Sequence, residues 1–95
     1  MTHIHGRRDK HHAEIKDGLR EAGYWVGDLA DMGAGWPDLL VISQTGLVTL
    51  MEVKTDKEPL TQAERLFFDT CPGQCVVVHS TEDAVMMLRM AEDQT

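Results

Sequence analysis

Apolar residues recur at helical spacing near the start of the chain. Ile15 and Leu19 lie four apart, Ala22 follows on the same face, and charges fill the other side. Gly23 is placed to end the helix as its C′ residue. The pattern predicts a helix from about residue 9, preceded by a flexible arm over residues 1–8. Tyr24-Trp25-Val26 is then a short β-prone run. Residues 30–36 carry Gly33 and Gly35 and read as a loop. Pro37 opens a buried-looking strand over residues 38–43, since the first position of a strand tolerates a missing N–H. Gln44-Thr45-Gly46 reads as a tight turn, and residues 47–54 as the second strand of that hairpin.

Polar, turn-like residues 55–59 follow. Thr61 and Glu64 have the Thr-x-x-Glu spacing of a capping box, so a helix is expected to about Thr70, burying Leu66 and Phe67 or Phe68. Pro72-Gly73 stops it. Residues 75–79 form a short apolar strand of parallel or central type. A last helix begins after Ser80 or Thr81, with Val85, Met86 and Leu88 on its apolar side and Met90 near its end. The predicted order is α-β-β-β-α-β-α in an α/β fold. Ninety-five residues suit one domain with a modest core, which a partner subunit could extend. Neither a membrane-spanning run nor a signal-peptide pattern stands out. Cys71 and Cys75 are expected as inert thiols in a reducing compartment.

Within this framework three charged residues converge. Alternation puts Glu52 and Lys54 on one face of their strand and Val53 on the other. A hairpin turning at residues 44–46 sets Asp38 across from about Glu52. Two carboxylates and an ammonium would then share one end of an apolar hairpin, at a cost unless something compensates them. Mg²⁺ suits such a place, because it takes hard oxygen ligands and keeps several waters. Asp38, Glu52 and the backbone carbonyl of Val53 are the candidate ligands. Lys54 is the candidate for orienting or deprotonating a water, or for stabilising phosphoryl charge, and burial beside a metal can lower its pKa. Taken alone, Glu-x-Lys is readily explained by a surface salt bridge. The Pro-Asp upstream, the glycine loop before it and the apolar strand between them favour the site.

Gly35-Trp36-Pro37-Asp38-Leu39-Leu40-Val41 followed by Met51-Glu52-Val53-Lys54-Thr55 resembles the signature of the PD-(D/E)XK nuclease superfamily. Within it the chain is most similar to the stand-alone VRR-NUC proteins (virus-type replication-repair nucleases) of phages and prophages. The resemblance runs from about His12 to Val85. It implies a restriction-endonuclease-like core, a central mixed sheet flanked by helices. It also implies Asp38 and Glu52 as metal ligands, Lys54 as the catalytic lysine, and Glu14 of the first helix as a further ligand. Where the family often carries a glutamine, this chain has Glu64, with Gln62 two residues earlier; both are candidates for site support.

The net charge of −7 weighs against a passive DNA coat. Its distribution is uneven. Residues 1–20 hold five basic and three acidic side chains, a balance of +2, whereas residues 21–95 hold four and thirteen, a balance of −9. Arg7, Arg8 and Lys10 are therefore the candidate phosphate contacts, and Trp36 could stack on a base or pack over the core. His3, His5, His11 and His12 fit a solvated arm better than a zinc site, since adjacent His11 and His12 diverge on a helix.

The leading expectation is a Mg²⁺- or Mn²⁺-dependent DNA endonuclease for branched DNA such as Holliday junctions. It would be a homodimer in the bacterial cytoplasm, with no membrane and no organic cofactor. The competing expectations are a non-catalytic DNA-binding or assembly module on the same fold, and a small metal or regulatory protein built on the histidine arm.

Overall fold

The computed structural model describes residues 7–94. Helix α1 spans Arg7–Glu21, strand β1 Trp25–Asp28, β2 Leu39–Ile42 and β3 Val48–Val53. Helix α2 spans Gln62–Thr70, β4 Cys75–Val78 and α3 Thr81–Asp93, and a short 3₁₀ turn over Ala30–Met32 lies between β1 and β2. The element order is the one predicted. The helix begins two residues earlier than expected, so residues 7 and 8 belong to α1 rather than to an arm. The rest of the expected arm, residues 1–6, lies outside the described residues.

Local chemistry sets the element ends. Gly23 adopts φ 98°. Its N–H donates to the Arg20 carbonyl at 3.1 Å, and the Tyr24 N–H to that of Leu19 at 3.1 Å. This pair of bonds is a Schellman cap, which needs a left-handed residue where Gly23 stands. Thr61 and Glu64 form the reciprocal capping box at the start of α2. Ser80 rather than Thr81 caps α3, its hydroxyl accepting from the Asp83 N–H at 3.0 Å.

The four strands lie in the order β1-β2-β3-β4. The first three form an antiparallel meander, and β4 runs parallel to β3. A parallel neighbour requires a crossover, here α2. One sheet face carries Val26, Leu39, Val41, Met51, Val53 and Val78, which form the core with Ile15 and Leu19 of α1 and Ala84 and Leu88 of α3. The opposite face carries Leu40, Ile42 and Leu50, all half-buried, with Trp25 and Val48 exposed. The buried-looking hairpin is thus fully buried on the core face and only half-buried over much of the other.

Two packing expectations are corrected. Leu66 is 62% exposed, and α2 is anchored by half-buried Phe67 and Phe68 instead. Met86 is 60% exposed and Met90 is also exposed, while Met87 turns toward the core. Among the described residues no helix is long and apolar enough to cross a membrane.

Candidate metal centre

The hairpin register brings the first two site residues together. Leu39 pairs with Met51, so the preceding Asp38 faces the following Glu52. Asp38 is half-buried, and its Oδ2 accepts the Val53 N–H at 2.8 Å. In an extended strand the N–H and C=O of one residue leave the same edge, so the Val53 carbonyl also faces the Asp38 side. Glu52 is 1% exposed and Lys54 2% exposed. Lys54 continues the ladder, its N–H donating to the Val78 carbonyl at 3.0 Å.

Neither carboxylate oxygen of Glu52 has a hydrogen bond, although both are buried. Burial, and then the charges of Asp38 and Glu64, push its carboxyl up to about 8. Lys54 Nζ lies 2.8 Å from Glu64 Oε1, 3.4 Å from Glu58 Oε2 and 3.6 Å from Glu52 Oε2. Burial works against the ammonium charge, but the hydrogen bond to Glu64 and the charges of Glu64, Glu52 and Glu58 outweigh it. The Lys54 pKa therefore rises above its ordinary value. Three carboxylates around the amine set this direction.

Glu64 forms the expected capping box and also touches Lys54. Its Oε1 accepts the Thr61 N–H at 2.8 Å and also meets Lys54. Gln62, by contrast, is exposed at the first turn of α2. Glu14 is exposed on α1, beside the start of α3, where Thr81 Oγ1 donates to its carbonyl at 3.4 Å. Among the described residues no three His, Cys, Asp or Glu side chains converge on one point where an ion could sit. Glu14 accordingly does not complete a three-carboxylate set with Asp38 and Glu52, and His11, His12 and His79 form no such cluster among the described residues. His12 instead lies 3.3 Å from Asp28, which also holds Lys16 at 2.9 Å. His3, His5 and the side chains of Arg7 and Arg8 lie outside the described residues, while Lys10 is exposed.

Trp36 is 42% exposed and packs on Phe67, with ring centroids 5.2 Å apart. It joins the loop to α2 and still shows one flank to solvent. Gly35, at φ 82°, is approached by α2: a Cβ there would strike the Ala63 carbonyl. Gly33, at φ 69°, has open space around it. Cys71 and Cys75 are free thiols. Burial, and then contact with Cys71, push the Cys75 thiol up to about 11, which keeps it protonated and unreactive.

Sequence reasoning passed over two residues at this site. Glu58 reaches Lys54 from the turn after β3, a contact that no helical or strand period predicts. His79 follows β4, and its Nδ1 lies 3.1 Å from the Lys54 carbonyl, so that nitrogen must carry the proton. Nothing local in the sequence marks that contact, which the parallel β3–β4 register creates.

The two carboxylates fit a divalent cation. Mg²⁺ is commonly held by one or two carboxylates, with water and substrate oxygens completing its shell. Ionising the buried Glu52 carboxyl is costly, and a divalent cation would offset that cost.

No family model and no curated protein matches the chain. A solved structure described as a "VRR_NUC domain" is similar to it, with a TM-score of 0.66 and 24% identity over 86% of this chain and 94% of that one. The mixed sheet, its strand order and its flanking helices agree with that likeness: the chain has the fold of a VRR_NUC domain.

Proposed function

We propose that this chain is a metal-dependent DNA endonuclease of the VRR-NUC kind. It hydrolyses phosphodiester bonds in branched DNA such as Holliday junctions, as a homodimer in the cytoplasm of a bacterial host. The observation that carries the reading is Glu52. Its carboxylate is buried without a hydrogen bond, opposite Asp38 and beside a buried lysine. Burying these groups together costs free energy that a bound divalent cation would offset.

Asp38 and Glu52, with the Val53 carbonyl, would hold Mg²⁺ or Mn²⁺. When bound, such an ion polarises a phosphoryl oxygen and makes a coordinated water more acidic. The chain's own residues do the rest. Asp38 is oriented by the Val53 N–H, which leaves its other oxygen for the ion. Lys54 is ready as a charged donor to a phosphoryl oxygen or to the attacking water. Trp36 offers a stacking surface beside the site, and Lys10, Arg7 and Arg8 supply the basic end of an otherwise acidic chain. Exposed Trp25 and Val48 on the open sheet face give a second copy an apolar surface to pack on, and a two-fold dimer matches the symmetry of a four-way junction.

Cleavage of labelled four-way junction, flap, single-stranded and duplex DNA with Mg²⁺ or Mn²⁺ tests the reading. The wild type should cut, and Asp38→Ala and Lys54→Ala should each lose at least about a hundredfold in rate. Binding without cutting by all three would leave a non-catalytic DNA module instead.

A further inference from the structure

A lysine ammonium has three protons to donate, and three carboxylates surround that of Lys54. Glu64 Oε1 lies 2.8 Å from Nζ as an ion-pair partner, and Glu58 Oε2 accepts a hydrogen bond at 3.4 Å. Glu52 Oε2, at 3.6 Å, is a further ion-pair partner and has no hydrogen bond. These carboxylates come from three separate places: α2, the turn after β3, and β3 itself.

Glu58 is fixed before it meets the lysine. Its Oε1 accepts from the Thr55 N–H at 3.2 Å and from the Thr55 hydroxyl at 3.4 Å. Its own N–H donates to the Thr55 carbonyl at 3.1 Å, closing the turn that begins directly after Lys54. One carboxylate oxygen thus holds the turn while the other holds the amine. Glu64 is anchored in the same manner, by the capping box of α2.

We infer that Glu58 is a positioning residue for Lys54: with Glu64 it holds two ammonium protons so that the third is aimed at the Glu52 carboxylate, where the metal and its water would sit. The inference rests on the nuclease reading above. A lysine head on a four-carbon stem turns freely unless it is held, and a reacting group out of line loses rate steeply. The two anchored carboxylates supply that restraint in the metal-free protein.

Glu58→Gln separates this role from turn closure. The amide oxygen can still accept from Thr55, but the NH₂ now faces the ammonium and repels it. Two readouts are needed, with Glu58→Ala alongside and thermal unfolding to confirm that each variant folds. In cleavage assays, kcat of Glu58→Gln should fall about tenfold with KM within about twofold. In metal-free protein, acetylation of Lys54 by a limiting acylating reagent, mapped by mass spectrometry against exposed Lys10, should rise several-fold in both variants. Wild-type kcat together with wild-type Lys54 acetylation in Glu58→Gln overturns the inference, because Glu58 then does not restrain the lysine. A wild type that cuts no DNA defeats the nuclease reading instead, and the acetylation comparison still decides whether Glu58 restrains the lysine.

Discussion

Glu64 Oε1 lies 2.8 Å from Lys54 Nζ, and the same oxygen accepts the Thr61 N–H at 2.8 Å. One atom therefore ties the first turn of α2 to the buried lysine of β3. The helix start and the candidate site are held by a single carboxylate, so they should respond together to its loss.

Two substitutions separate the halves of that link. Thr61→Ala removes only the cap and should cost about 1 kcal/mol. Glu64→Ala also strips the closest partner from a buried ammonium and should cost more, about 3 kcal/mol. Urea denaturation measures both; equal losses would mean that the Lys54 contact contributes nothing to stability.

Glu52 should make the metal-free fold weaken with rising pH. Its carboxyl is raised from the ordinary 4.5 to about 8, so between those values the folded state keeps a proton that the unfolded state has lost. Stability then falls as pH rises through this window. Glu52→Gln has no such proton to lose. It should be more stable than wild type by up to a few kcal/mol near pH 8, and the advantage should shrink toward pH 4.5. Paired urea titrations at pH 5, 6.5 and 8 provide the check, and an advantage independent of pH would contradict the assignment.

Mg²⁺ affinity should follow the same group. An ion on Glu52 must displace its proton, so binding should tighten as pH rises toward 8, with proton uptake by the buffer. Calorimetry in buffers of different ionisation enthalpy reads the released proton directly, and Glu52→Gln should abolish it. Chelation should return the protein to the weaker, pH-sensitive state.

Asp28 gives the opposite pH dependence. Burial raises its pKa, but the Ala30 N–H, Lys16 and His12 outweigh that and hold the carboxyl down to about 2, against an ordinary 3.8. Its contribution is complete above 3.8 and is lost as pH falls through about 2. Asp28→Asn should cost about 1 kcal/mol or less at pH 7, because the side chain is partly in water, and nothing near pH 2. Thermal unfolding over pH 2–7 distinguishes this from a loss that is the same at every pH.

Gly35→Ala tests how the glycine loop meets α2. The position combines φ 82° with a Cβ that would strike the Ala63 carbonyl. The substitution should destabilise by about 2–4 kcal/mol, with disturbed Trp36 fluorescence. Gly33→Ala, with open space around it, should cost only about 1 kcal/mol for its positive φ.

The sequence by itself determined the parts governed by short-range rules. The period of two in the strands and the turn at residues 44–46 set Asp38 opposite Glu52, with Lys54 on the same face. The Thr-x-x-Glu spacing fixed the start of α2, and the spacing of Ile15 and Leu19 with Gly23 fixed the body and end of α1. Tertiary structure decided the rest, since it brings together groups that no local period relates. The crossover of α2 set Glu64 over Lys54 and left Leu66 in solvent. The parallel placement of β4 brought His79 to the Lys54 carbonyl. The packing of α1 against α3 turned Met87 inward and Met86 outward, and it left Glu14 by Thr81 instead of completing a set with Asp38 and Glu52. Burial of Glu52 without a hydrogen bond also belongs to this second group. The charge is written in the sequence, but its removal from water depends on what the finished fold packs around it.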